Sequence, residues 1–383
     1  MALPAGTPHV AAPAVAALGR GCTCCEKRAD LVREVARLAA RPDVDYVLVE
    51  AAGSAYPQEV AEALVGDGHG DGDAGAGRAG AGDGVAIDTM VTVVDAGVFL
   101  EHLAGDLEVG EVVGGVNADA DADADADAGG RTVAEVLAAQ VEFCDVVVVN
   151  KIDTVPGGGD SVTAQQVLAV LRKLNPTARI VLATHGHVDP TAVVGTGLFD
   201  MDRAAHSAGW MHELSAAAPT PEPSSADAGR ARPARVDGRG GVESFVYRAR
   251  RPFSAARLAD ALELPWDGLL RSKGYFWLAT RGRISGLWQT AGKAWSGEPV
   301  APWQATLPPD AREPGVELEG DWDAVWGDRQ TEVVFVGVGM DEAGFRARLD
   351  GCLLSDAEMS QGEGCWAQME DPLPPWEVAG GVH

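Results

Sequence analysis

Val146-Val147-Val148-Val149-Asn150-Lys151-Ile152-Asp153 is the stretch whose reading decides the fold. Four consecutive β-branched residues without polar alternation predict a strand buried on both faces, the habit of parallel sheets covered by helices. The polar run that follows at once falls where such a sheet binds ligands, outside the carboxyl ends of its strands. An Asn-Lys-x-Asp in that place suits guanine. The Asp153 carboxylate would accept from the ring N–H and the exocyclic amine, which adenine does not offer, while the Lys151 stem lies along the base and Asn150 braces the loop. A polar turn with a capping Asp has the same four residues, so the motif takes its weight from the strand before it. Ala183-Thr184, after the next strand, falls near the same base.

Outward from this stretch, strand and helix patterns alternate. Leu31, Val32, Val35, Leu38 and Ala39 share one face of a predicted helix over Glu26 to Ala40. Tyr46-Val47-Leu48-Val49 reads as a buried strand, Pro57 to Val65 as a helix, and Ala86 to Val94 as holding another strand. Thr132 to Phe143 and Ser161 to Leu174 read as helices, and Arg179 to Ala183 as a strand. The expectation is an α/β, doubly wound, mainly parallel sheet. Gly66 to Gly84 and Ala118 to Ala128 are built mostly from Gly, Ala and Asp, cannot bury enough apolar area to order themselves, and read as disordered surface insertions.

Ser215 to Gly240, rich in Ala, Pro, Ser and Arg, reads as an interdomain linker, and the pattern changes after it. Strands are predicted at Val242 to Arg248, Gly274 to Thr280, Ile284 to Gln289 and Thr331 to Val338, and helices at Ser254 to Leu262 and Asp341 to Leu354. Three or four strands with two helices predict a second, smaller α+β domain over 241–355, with 356–383 as a tail and 1–214 as the first domain. Every tryptophan except Trp210 lies from Trp266 onward, and the group is expected to pack this second sheet.

The formal net charge of -27 in 383 residues repels nucleic acid and anionic membranes, so neither is expected as a partner. The apolar runs are too short to span a bilayer, and Met1 to Val15 lacks the basic start of a secretory signal, which makes a cytoplasmic protein the default expectation. Three of the six cysteines fall in Gly21-Cys22-Thr23-Cys24-Cys25. A loop can converge two or three of these thiols on one ion, and the helix that follows favours thiolates at its positive end. Thiolates suit Zn²⁺ and other soft or borderline metals, and three of them leave a fourth position open for exchange. Redox chemistry and a structural role are the other readings. Cys352 and Cys365 read as core or incidental residues, and His185 and His187 as a solvated loop beside the base pocket. Glu50-Ala51-Ala52-Gly53 ends the strand predicted at Tyr46 to Val49; Glu50 is placed to act on Mg²⁺ or its water shell and Gly53 to offer its N–H to a γ-phosphate, against the plainer reading of an acidic strand end and a turn.

Taken together, the Gly-Cys-x-Cys-Cys motif, the Glu-x-x-Gly segment, the Asn-Lys-x-Asp loop and the separate C-terminal domain resemble the CobW family of P-loop GTPases and metallochaperones. The resemblance runs from about Ala14 to Trp210 and from Val242 to Leu354, and includes Asp88 to Asp95, Leu171 to Pro176 and Leu270 to Leu278. It implies a P-loop-type sheet and a cytoplasmic GTP-binding protein. It further implies that Cys22, Cys24 and Cys25 bind zinc, or sometimes cobalt, for delivery to a client metalloprotein, with GTP and Mg²⁺ as ligands and the nucleotide state controlling metal affinity. Asn150, Lys151, Asp153, Glu50 and Gly53 would serve the nucleotide.

The sequence departs from that pattern in one respect that matters. It contains no G-x-x-x-x-G-K-[ST]; Gly292-Lys293 is followed by Ala294 and lacks the upstream glycine. Only 21 residues precede Cys22, whereas in the family a phosphate loop and the first strand lie ahead of the cysteine motif. A sheet without that central strand is expected to leave apolar neighbours uncovered, and hydrolysis to be poor or absent. Ala51 and Ala52 also replace hydroxyl residues of the family, and Ser54 to Pro57 lacks its usual acidic residue. A start assigned too far downstream or a shortened chain, a decayed gene fragment, and a non-hydrolysing metal-binding or regulatory relative all fit these departures.

Overall fold

β1 (Val91–Asp95), β2 (Val146–Asn150) and β3 (Arg179–Leu182) lie side by side in that order, all parallel. The computed structural model describes residues 28–65, 85–114, 131–206, 209–216, 235–236, 241–314, 322–378 and 381–382. The register sets Val91 opposite Val146 and Asp95 opposite Asn150, so the carboxyl ends of β1 and β2 are level. Val146 to Val149 of the central strand are all buried, as an unalternated run requires when both faces are covered. On one face, Val147 and Val149 join Val94, Ala138, Val141 and Val167; on the other, Val146 and Val148 meet Ala183 with Val188, Val193 and Leu198 against them.

The helices of this half are α1 (Arg28–Ala39), α2 (Pro57–Val65), α3 (Phe99–Ala104), α4 (Val109–Gly114), α5 (Val133–Phe143), α6 (Val162–Leu174), α7 (Met201–His206) and α8 (Gly209–Ala216). Local chemistry sets where α5 and α6 begin. The Thr132 hydroxyl accepts from the Glu135 N–H while the Glu135 carboxylate accepts from the Thr132 N–H, and the Ser161 hydroxyl accepts from the Ala164 N–H. Each such cap contributes about 1 kcal/mol.

The structure corrects the expected buried strand at Tyr46 to Val49. These residues join no ladder, and among the described residues none makes a backbone hydrogen bond to residues 46–50. Tyr46, Leu48 and Val49 are 41%, 83% and 37% exposed. Val47 packs beside Leu31, Val35 and Val60 on the α1–α2 pair, and the Tyr46 hydroxyl donates to Asp88 Oδ2 at 2.9 Å. The physical reason is pairing: a strand exists only beside a neighbour, and β1 makes no ladder with this segment. Among the described residues β1 is itself the edge of its sheet, with Val91 40% and Val93 62% exposed.

The second half holds β4 (Arg235–Val236), β5 (Val242–Ala249), β6 (Leu269–Phe276), β7 (Ile284–Ala291), β8 (Ala294–Pro302) and β9 (Thr331–Val338). They form one antiparallel sheet in the order β4-β5-β9-β6-β7-β8, larger than the three or four strands expected. Sequence patterning misses β8 because Pro299 and Pro302 interrupt it; an edge strand tolerates proline, since its outer side needs no donor. α9 (Ala255–Leu262) and α10 (Glu342–Cys352) cover one face, where Phe245 stacks on Phe335 with centroids 4.9 Å apart. Residues beyond 355, expected as a tail, instead form α11 (Asp356–Met359), α12 (Glu363–Trp366) and the short antiparallel pair β10 (Glu377–Val378) and β11 (Gly381–Val382). Trp366 and Trp376 are 1% and 2% exposed, and these two apolar anchors fix the segment.

The other face of the large sheet closes the core of the first half: Val242, Leu270, Ala291, Val334 and Val336 belong to the same buried cluster as Val147 and Val149. Backbones approach closely at this junction. A Cβ at Gly292, whose φ is +57°, would strike the Gly105 carbonyl, and one at Gly209 would strike the Lys173 carbonyl. A buried ion pair crosses it, with Arg271 Nε donating to Glu142 Oε1 at 2.7 Å and Arg271 Nη2 to Glu142 Oε2 at 3.0 Å. Burial alone would push the Glu142 carboxyl up, but Arg271 and Lys273 outweigh it and hold the group ionised, below the usual carboxylate range. Removing one partner of such a pair costs about 3–5 kcal/mol, because the other charge is left buried.

Candidate functional site

The carboxyl ends of the three parallel strands converge on one loop cluster. β2 ends at Asn150, the chain turns at Lys151 with φ of 56°, and Ile152–Thr154 makes a single tight helical turn. Asn150 Oδ1 accepts from the Gly186 N–H at 2.9 Å, which ties the loop after β2 to the loop after β3. The Ile152 N–H donates to the Ala183 carbonyl at 3.3 Å, a second tie between the same loops. Thr154 Oγ1 donates back to the Lys151 carbonyl at 2.8 Å and closes the turn. Asn150 and Ala183 thus join the loop after β2 to the loop after β3.

Lys151 and His185 are the non-glycine residues with positive φ among the described residues, and both lie in this loop pair. Backbone of that kind costs about 1–3 kcal/mol per residue and persists where the surrounding structure holds it. Lys151 Nζ lies 2.8 Å from Asp95 Oδ2, at the end of β1, and Asp95 Oδ1 accepts from the Gly97 N–H at 2.9 Å. The hydrogen bond from Lys151 pulls the Asp95 carboxyl below its ordinary value and raises the lysine. Both groups are substantially exposed, so the pair contributes little stability; its effect is to orient the lysine stem. The Asp153 carboxylate is exposed and has no hydrogen-bond or ion-pair partner among the described residues, so its acceptor oxygens face solvent ready for a donor pair. His187 Nδ1 lies 3.1 Å from the Thr184 carbonyl, and both histidines are exposed, in keeping with a solvated loop.

Glu50 and Gly53 stand apart from this cluster. Both are exposed, and no hydrogen bond or ion pair joins their loop to residues 150–153 among the described residues. Gly53 is held from α5 instead, where Gln140 Nε2 donates to the carbonyls of Gly53 at 2.9 Å and Ala55 at 3.2 Å. Behind the unpaired segment, Asp88 gathers donors from Thr89, Gly197, Thr196 and Tyr46. Partial burial would raise its carboxyl, but these bonds prevail and pull it down to about 2.

Cys22, Cys24 and Cys25 lie outside the described residues, as do the stretches 66–84 and 118–128 and most of 215–240. Among the described residues no group of His, Cys, Asp and Glu is placed to hold a metal ion. Burial pushes the Cys144 thiol up to about 12 and the Cys352 thiol up to about 11, which disfavours the thiolate form of both. Cys365 is exposed. No helix of the described residues is long and apolar enough to cross a membrane. Sequence reasoning missed Asp95 and Gln140. Asp95 left a signal, an acidic residue closing the apolar strand next to the valine run; Gln140 left none, because a glutamine on a helix announces no partner.

Comparison with known proteins adds to this geometry. Residues 6–182 match the family model described as the CobW/HypB/UreG nucleotide-binding domain, and residues 242–353 match the cobalamin synthesis protein cobW C-terminal domain. A relative from Dictyostelium discoideum, the zinc-regulated GTPase metalloprotein activator 1, is 32% identical over 369 residues, covering 94% of this chain and 70% of its own length. A zinc chaperone of Mycobacterium tuberculosis is 28% identical over 369 residues, covering 93% of this chain and 78% of its own. Among solved structures, the Zn(II)-bound YjiA GTPase from E. coli is similar at 17% identity and a TM-score of 0.27, over 70% of this chain; the chain spans 62% of that protein's length. With both of the family's domains matched in order along one sequence, the chain belongs to the CobW family.

Proposed function

We propose that this protein is a guanine-nucleotide-responsive metallochaperone that carries zinc, with cobalt as a second candidate cargo, to a client metalloprotein. The observation that carries the reading is the loop after β2: Asn150 tied to the neighbouring loop, Lys151 fixed by Asp95, and a free, exposed Asp153 carboxylate. That donor and acceptor set fits a guanine base. The relatives named for zinc and for GTPase activity support the cargo and the nucleotide class. Cys22, Cys24 and Cys25 are the proposed zinc ligands, three thiolates with one position left for exchange. Glu50 and Gly53 are the proposed contacts to Mg²⁺ and the terminal phosphate. The proposed division is a nucleotide-binding domain over 1–214, a linker over 215–240, a C-terminal domain over 241–355 and the segment 356–383 after it.

No phosphate-cradling G-x-x-x-x-G-K-[ST] occurs in this sequence, so no hydrolytic step is assigned to its residues. Recognition resides in the base. Calorimetric titration is expected to show weak binding that favours GTP over ATP by about tenfold or more, the worth of one or two hydrogen bonds to a charged acceptor. Asp153→Asn is expected to shift that preference to xanthosine triphosphate, because the amide can donate where the carboxylate accepts. Equal affinity for GTP and ATP, no binding of either, or an unchanged preference in the variant contradicts the assignment.

A further inference from the structure

Two side chains of α5 leave the helix on opposite sides and hold different parts of the molecule. Gln140 holds the loop after Glu50 through the carbonyls of Gly53 and Ala55. Glu142, two residues on and therefore about 200° further round the helix, faces the C-terminal sheet. Its carboxylate takes Arg271 at 2.7 and 3.0 Å and Lys273 at 3.3 Å, all on β6. Lys273 in turn lies 5.7 Å from the centre of the Trp210 ring, which meets Tyr275 edge-on at 5.6 Å.

The helix between these two grips is rigid. Its first turn is locked by the Thr132–Glu135 capping box, and the Gln140 carbonyl accepts from Thr92 Oγ1 of β1 at 2.7 Å. Ala138 and Val141 are fully buried, and Phe143 is 5% exposed. A packed helix of this kind moves as a unit, because close-packed neighbours leave no room for one turn to shift alone. The loop it holds has few other ties. Ala55 N–H to Ala52 carbonyl is the backbone hydrogen bond within it, residues 46–50 have no backbone partner among the described residues, and nothing lies within 4 Å of a Cβ placed on Gly53.

We propose that α5 couples the Glu50–Gly53 loop to the C-terminal sheet, with Gln140 registering the position of the loop and Glu142 passing it to Arg271 and Lys273. A ligand that moves the loop would thereby act on β6, and a partner bound to the C-terminal domain would act on the loop, since coupling between two sites is reciprocal. The inference rests on contacts within the protein itself. Its test therefore needs no nucleotide, and its failure leaves the reading of the base loop where it stands.

Hydrogen exchange of the full chain, read by mass spectrometry, supplies the test. Gln140→Ala should speed exchange in residues 46–56 and also in β6, by about fivefold or more in each, the lower end of ordinary coupling. α10, on the far face of the sheet, should not change. In a Glu142→Gln background the same substitution should speed residues 46–56 alone. If that background folds poorly, the apolar triple Glu142→Leu, Arg271→Met, Lys273→Met replaces it, since buried ion pairs can give way to packed hydrophobic groups. A Gln140→Ala effect confined to residues 46–56 in the parent overturns the proposal. So does an equal effect on β6 in both backgrounds, or a uniform rise that includes α10, because each would show that Glu142 carries no specific signal.

Discussion

Changing Cys24 and Cys25 together to serine is expected to abolish tight zinc binding by the reduced protein, measured in competition with a zinc chromophore. The effect should be all-or-none, since serine is a poor ligand for a borderline-soft ion and one remaining thiolate cannot hold it. Cys352→Ser should leave binding intact. The structure strengthens that contrast: Cys144 and Cys352 are buried at 3% exposure each, and burial disfavours the thiolate form of both. No described cluster of His, Cys, Asp and Glu offers the metal another home. Unchanged stoichiometry in the Cys24/Cys25 double variant would sink the assignment.

The second large effect concerns the open edge of the parallel sheet. Among the described residues β1 is an edge strand whose Val91 and Val93 are 40% and 62% exposed, and Tyr46 and Leu48 of the unpaired segment are 41% and 83% exposed. An unpaired edge flanked by apolar side chains is a template for association. The 383-residue chain alone should therefore self-associate, binding a hydrophobic dye and eluting broadly from a sizing column. Leu48→Lys with Val93→Lys should remove most of the dye signal, since charged side chains on an edge oppose strand addition. A single sharp peak, a cooperative melt and no dye binding by the unaltered chain would contradict this. That outcome would favour a relative adapted to its uncovered edge.

The valine run at 146–149 and the apolar run at 46–49 look alike in sequence, yet only the first is a buried strand. The difference lies in pairing. β2 has a neighbour on each side, whereas residues 46–50 have none among the described residues, and β-propensity is a statement about neighbours more than about a residue alone. The longer helices, α1, α2, α5, α6, α9 and α10, were legible to within one or two residues because several of their starts are written in local chemistry, as Thr132 with Glu135 and Ser161 show, whereas α3, α4, α7 and α8 were not read. β8 was not legible, because its prolines mark an edge and edges look like loops. Of the site, Asn150 to Asp153 was legible as a motif on a strand end. Asp95 and Gln140 act through contacts with Lys151 and Gly53, 56 and 87 residues away from them, which no local pattern encodes.

The most direct test of the metallochaperone reading is X-ray absorption at the zinc edge of the reduced, zinc-loaded protein. Three thiolates from Cys22, Cys24 and Cys25 predict a shell dominated by sulfur at about 2.3 Å with one lighter ligand, lost in the Cys24/Cys25 double variant. A shell of nitrogen and oxygen at about 2.0–2.1 Å, unchanged in that variant, would contradict the account.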